Sequence, residues 1–155
     1  MAIESRSASP KRTQEIAAEF AQKLFTSTPI FIRLKGEMGA GKSEFARGFI
    51  KKWLELSCEA AAESIVSPTF NIARVYGAAK PIAHLDLYRM QSMQELEQLG
   101  FEHYFYELPC CLVEWLERIE NPESVVPERY YIVEIEHGAS PEERIIRFQE
   151  RLKSP

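Results

Sequence analysis

A chain of 155 residues with 45% hydrophobic and 27% charged content has the composition of one globular domain, able to bury about two-thirds of its unfolded surface. Its net charge of −4 excludes a surface that grips nucleic acid unaided, so any RNA in its biology would be held by a partner. Cys58, Cys110 and Cys111 cannot all pair and lack zinc spacing, the N-terminus is polar, and no apolar run reaches the ~20 residues of a membrane span. The composition therefore predicts a soluble cytoplasmic protein with reduced thiols.

Residues 1–8 read as a disordered tail, and residues 9–155 as a single domain. Ser9-Pro10 places an N-cap before a proline at the first helical position. Ile16, Ala17, Phe20, Ala21 and Leu24 then recur at helical spacing. Thr26-Ser27-Thr28-Pro29 stops that helix, and Ile30 to Leu34 is the first expected strand. Phe45, Ala46, Phe49, Ile50, Trp53 and Leu54 give a second helix one buried face.

Between these two elements, Gly36-Glu37-Met38-Gly39-Ala40-Gly41-Lys42-Ser43 fits the phosphate-binding pattern G-x-x-x-x-G-K-[ST] at every fixed position. Phosphate oxygens need several backbone N–H groups converging on one point. Glycine permits so tight a loop, and the following helix adds its free amides and dipole. Lys42 would reach the β- and γ-phosphates, and the Ser43 hydroxyl would ligate Mg²⁺. A strand before the loop and a helix after it are the context this chemistry requires.

Residues 57–66 form an Ala-rich connector, followed by Ser67-Pro68-Thr69-Phe70. Phe70 to Tyr76 and Ile82 to Tyr88 read as an antiparallel hairpin turned at Gly77-Ala78-Ala79-Lys80-Pro81. Ser92-Met93-Gln94-Glu95 has the form of a capping box, opening a helix that Gly100 ends. Cys110 to Val113 looks like a strand buried on both faces, closed by Glu114-Trp115. Leu116 to Asn121 reads as a helical turn stopped by Pro122, and Tyr130 to Glu136 and Glu143 to Phe148 as two last strands. The sum is a three-layer α/β domain: a mostly parallel central sheet with an antiparallel part, and helices on both faces.

A phosphate loop of this kind needs oxygen ligands for Mg²⁺ beyond Ser43. Asp86 and Glu114 each end an apolar strand, where such ligands belong, although either could simply face solvent. One would meet the metal and the other would orient water or complete the second shell. Thr69 offers a hydroxyl that could sense a γ-phosphate, or merely bond local backbone. His84 and Tyr88 flank Asp86 at strand spacing, so the three would share a face. For His84 a structural histidine is the plainer reading, and for Trp115 core packing is. Glu102-His103-Tyr104-Phe105-Tyr106-Glu107 is either a docking surface or a partly buried loop.

With these residues in hand, the sequence resembles the TsaE family over nearly its whole length. The resemblance rests on Gly36 to Ser43, Ser67-Pro68-Thr69-Phe70, His84-Leu85-Asp86-Leu87-Tyr88-Arg89, and Val113-Glu114-Trp115 with Glu117-Arg118. Glu95-Leu96, Gly100-Phe101 and Glu143-Arg144-Ile145-Ile146 keep the family's order. It implies a P-loop ATPase that serves threonylcarbamoyladenosine modification of tRNA beside a TsaD–TsaB heterodimer, meeting tRNA only through that complex. By position, Glu37, Met38, Gly39, Ala40, Gly41, Lys42 and Ser43 would hold ATP, and Ser43 with Asp86 would serve Mg²⁺. Thr69 would belong to a nucleotide-responsive loop, Glu114 and Trp115 to the site's edge, and Thr13 to the adenine's surroundings. Ser43 stands where threonine is commoner, and Asn71 where a hydroxyl or apolar residue is usual. Two other readings share the loop: a small-molecule kinase, for which no arginine-bearing lid is evident, and an ATP-dependent binding switch.

Overall fold

A computed structural model describes residues 2–59 and 72–155. In chain order the elements are β1 (Ala2–Ser7), α1 (Pro10–Leu24), β2 (Ile30–Lys35), α2 (Lys42–Leu56), β3 (Ala73–Tyr76), β4 (Ile82–Asp86), α3 (Met93–Leu99), β5 (Cys110–Glu114), β6 (Arg129–His137) and β7 (Arg144–Leu152). The strands form one sheet in the order β1-β7-β6-β2-β5-β4-β3. Its inner four, β6, β2, β5 and β4, run parallel. Antiparallel partners close both sides, β3 on β4 and then β7 and β1 beyond β6.

Side-chain alternation divides the sheet into two apolar faces. Ile30, Ile32, Leu34, Ile82, Cys110 and Leu112 pack under α1 and α2, against Phe20, Phe45, Phe49 and Trp53. Phe31, Ala83, Leu85, Cys111 and Val113 face Leu96, Phe101, Phe105 and Val126. Central strands covered on both sides have no polar face to show, which is why β5 reads as an apolar run up to Glu114. The one break inside β2, Arg33, is buried and pairs with Glu123 at 2.6 Å. The three layers expected from the sequence are therefore present. Cys110 and Cys111 are buried free thiols, and Cys58 is exposed and free.

Local signals set the helix ends. Ser9 Oγ accepts from Arg12 N at 3.1 Å, with Pro10 at the first helical position. Ser92 Oγ accepts from Glu95 N, while the Glu95 carboxylate reaches past the cap to Gln91 N. Gly100 ends α3 with φ of 75°.

The sequence reading is corrected in four places. Residues 2–7, expected to be a disordered tail, form β1 and pair with β7 from Ala2↔Gln149 to Ser7↔Arg144. An edge strand gains its order from backbone ladder bonds and ion pairs such as Arg6–Glu143 and Glu4–Arg147, so it carries no apolar alternation to read. Pro122 opens a short 3₁₀ turn (Pro122–Ser124) of its own, after another at Leu116–Arg118. Residues His103–Glu107 are a π-helical turn whose Phe105 packs edge-on against Phe31 at 4.7 Å, rather than a loop. The strand β4 ends at Asp86, so Tyr88 does not continue its face. Of the expected strand from Phe70, Ala73–Tyr76 is present, and its first residues lie outside those described.

Helices α1 and α2 meet most closely at Gly48, where a Cβ would lie 2.3 Å from Gln14 O. Backbone cannot step aside without moving α1. Overpacking costs about 1–3 kcal/mol, against about 1 kcal/mol of helix propensity gained from alanine. Gly48→Ala should therefore be less stable than the parent, seen as a lower urea midpoint at unchanged m.

Candidate nucleotide site

The loop from Gly36 to Ser43 leaves the carboxyl end of β2 and enters α2, where open parallel sheets place their ligands. Gly36 must be glycine because a Cβ would fall 2.7 Å from Ile135 O on the adjacent β6. Gly41 caps α2 with φ of 111°, a backbone state that other residues rarely adopt. Ala40 N donates to Glu37 O at 3.0 Å, tightening the loop's tip. The first amides of α2 have no partner within the helix and carry the positive end of its dipole.

Lys42 is only 5% exposed. Its ammonium folds back to donate to Gly36 O and lies 3.5 Å from the centroid of the Trp115 ring. Burial lowers the Lys42 pKa, and the nearby Glu114, Glu117 and Asp86 carboxylates only partly oppose it.

Both acids proposed from the sequence arrive beside this loop. Strands β4 and β5 pair in register with Asp86 opposite Glu114, and Glu114 lies opposite Leu34 of β2. Alternation puts His84, Asp86 and Glu114 on the face that carries α2. Glu114, 3% exposed, holds its Oε2 2.7 Å from Nε2 of the equally buried His84. Asp86 accepts from Tyr88 N at 2.9 Å, the local bond that turns the chain away after the strand. Burial raises the Asp86 pKa, Tyr88 N–H pulls it down, and the Glu114 charge adds to the rise. Two carboxylates side by side in partial burial make a hard-oxygen environment suited to a divalent cation. Among the described residues no group of three or more His, Cys, Asp or Glu side chains is arranged to hold a metal ion. Mg²⁺ commonly binds through one or two protein carboxylates together with substrate phosphates.

The remaining predicted residues take varied places. Ser43 is exposed at the start of α2, and Glu37, Met38 and Gly39 are exposed at the loop's tip. Trp115, for which core packing is the plainer reading from sequence, packs half-buried against the second core cluster. With φ of 62° it turns its ring over Lys42 and meets Tyr88 edge-on at 5.0 Å. Arg118 in turn lies 4.5 Å over the Tyr88 ring. Thr13 is buried against Ser7 Oγ at 2.8 Å, and with Pro10, Gly39, Gly41, Glu44 and Arg144 lines a cavity of about 230 Å³. Thr69 lies outside the described residues. The contact between His84 and Glu114 was not legible, because register between β4 and β5 sets it. Nor was the approach of Arg144 to the loop, which comes from 104 residues further along the chain.

A glycine-built loop between a central parallel strand and a helix, with a buried lysine and two carboxylates at the strand ends, defines a P-loop nucleotide-binding protein of the α/β class. Comparison with known proteins narrows this class. The family model described as "Threonylcarbamoyl adenosine biosynthesis protein TsaE" matches residues 7–146, and the chain belongs to that family. Among relatives named "tRNA threonylcarbamoyladenosine biosynthesis protein TsaE", one from Haemophilus influenzae is 34% identical over 121 residues, covering 77% of this chain and 71% of the relative. One from Bacillus subtilis is 36% identical over 129 residues, covering 83% and 74%. The crystal structure of Bacillus subtilis YdiB superposes with a TM-score of 0.72 at 28% identity, covering 98% of this chain and 86% of that one.

Proposed function

We propose that the chain is a Mg²⁺-dependent ATPase that serves threonylcarbamoyladenosine modification of tRNA, its hydrolysis supporting turnover of a TsaD–TsaB complex in the cytoplasm. The convergence of Lys42, Asp86 and Glu114 on the loop's helix end carries this reading. A Mg²⁺ ion held there would supply neutralisation of phosphate charge. Ser43 Oγ and Asp86 are the residues that would hold it. The loop amides and Lys42 hold the phosphates, which requires the ammonium to leave Gly36 O and turn outward. Glu114 keeps its position through His84 and orients the attacking water. Trp115 covers the approach to Lys42 and excludes solvent there. Thr13, beside the cavity flanking the loop, stands where the nucleoside end would extend. Thr69 is assigned to a nucleotide-responsive loop from the family resemblance alone.

In purified protein, ATP hydrolysis is expected to be weak alone and raised by the TsaD–TsaB pair. Hydrolysis unaffected by the pair, or ATP consumed only with phosphorylation of a small acceptor, would overturn the reading in favour of a separate P-loop enzyme or a kinase. Among the described residues no helix is long and apolar enough to cross a membrane.

A further inference from the structure

A loop that gathers phosphate through its amides must turn carbonyls the other way, because N–H and C=O of a planar trans peptide point in opposite directions. Outward carbonyls need donors of their own. In this fold one side chain supplies them. Arg144, half-buried at the first position of β7, donates from Nε to Ala40 O at 2.8 Å and from Nη2 to Gly39 O at 3.4 Å. Its Nη1 donates to Pro141 O at 2.7 Å and Glu143 O at 3.0 Å, anchoring the guanidinium to the turn between β6 and β7.

We propose that Arg144 is a positioning residue of the phosphate loop: its guanidinium holds the Gly39 and Ala40 carbonyls outward and, through the Ala40–Gly41 peptide, aims the Gly41 amide into the loop. The proposal rests on the nucleotide reading given above. The peptide joining Ala40 to Gly41 is the one most directly fixed, since its carbonyl takes the shorter bond and its N–H belongs to the glycine that caps α2. The peptide joining Gly39 to Ala40 is held from both ends, by Arg144 at its carbonyl and by Glu37 O at its N–H. Both flanking glycines, Gly39 with φ of 79° and Gly41 with φ of 111°, occupy a region open to large backbone rotation. An arginine suits the task. Its planar fork reaches two carbonyls in fixed relation, and its charge sits beside an anion site without competing as an acceptor. The β6–β7 hairpin thereby becomes part of the site, although Arg144 does not touch the phosphates.

The test compares ADP and adenosine binding, with Mg²⁺ present, to the parent protein and to Arg144→Ala and Arg144→Lys, read by titration calorimetry. Arg147→Ala is the control: it removes ion pairs to Glu4 and Glu136 on the same hairpin without reaching the loop. Arg144→Ala should weaken ADP by about tenfold or more and adenosine, whose cavity Arg144 also lines, by clearly less, because charge-assisted phosphate contacts depend on amide alignment. Arg144→Lys, keeping charge and one donor, should recover part of the loss. Arg147→Ala should bind ADP like the parent. In ¹⁵N spectra of the nucleotide-free protein, Gly39, Ala40 and Gly41 amides should shift or broaden in Arg144→Ala.

ADP affinity of Arg144→Ala within about twofold of the parent would overturn the role, as would an equal loss in the Arg147→Ala control. If Arg144→Ala does not fold, Arg144→Lys decides: affinity equal to the parent would overturn the need for the fork. A parent protein that binds no ADP would sink the nucleotide reading, and the role with it, which is a different result from parent binding that Arg144→Ala leaves intact.

Discussion

Lys42→Met is expected to reduce nucleotide turnover by about 10²–10³-fold while leaving the free protein at least as stable as its parent, and the pair of outcomes is the informative result. The first follows from position, since Lys42 is the one lysine opening α2 at the loop. The second follows from its surroundings. Desolvation is the largest influence on Lys42 and lowers its pKa from the ordinary 10.5. The native state therefore holds that proton less tightly than the unfolded chain does. Its penalty is complete below the folded pKa and fades only as pH rises toward the unfolded value. The penalty applies wherever the ammonium stays charged in the folded state. The Glu114, Glu117 and Asp86 carboxylates do not outweigh it, because the net shift is downward. A methionine of similar length keeps the packing and removes the charge. Turnover assays beside thermal unfolding at pH 7 check both halves, and a variant much less stable than the parent would mean that the ammonium is chiefly structural.

Asp86→Asn should show the same divorce of stability from activity, with the opposite pH slope. Burial and the Glu114 charge raise the Asp86 pKa above the ordinary 3.8. Here the folded state binds the proton more tightly than the unfolded chain. Stability is thus lost as pH rises from the unfolded pKa through the folded one, and above the folded pKa the charged carboxylate is a liability. Asparagine can still accept from Tyr88 N, so the turn after β4 is preserved. The expected melting temperature is higher than the parent's at pH 7, with the difference shrinking toward pH 4. Turnover should fall by about 10²–10³-fold, as one oxygen ligand and its charge are removed. Equal stability of parent and variant across that pH range would show that the carboxylate is solvated rather than held in reserve. Taken together, Lys42 and Asp86 are charges kept at a stability cost that a phosphate and a cation would relieve, a pattern associated with functional sites.

The sequence by itself determined the elements whose signals are local. Gly36 to Ser43 identified the loop because phosphate chemistry fixes residue types within one turn of chain. Ser9-Pro10, Ser92 and Gly100 marked helix ends because capping is decided within a few residues. Asp86 and Glu114 stood out because an acid closing an apolar run has to be explained. Tertiary structure alone decided what those residues meet. Strand register set Asp86 opposite Glu114 and brought His84 to Glu114 Oε2, a pairing between strands that no local pattern encodes. The αL turn at Trp115 set its ring at the edge of the second core cluster, over Lys42. The polar stretch of residues 2–7 became a strand only because β7, from the other end of the chain, offered it an edge. That same strand brings Arg144 to the back of the phosphate loop. Local chemistry is written in neighbouring residues, whereas a sheet joins residues more than a hundred positions apart, so their contacts exist only once the chain has folded.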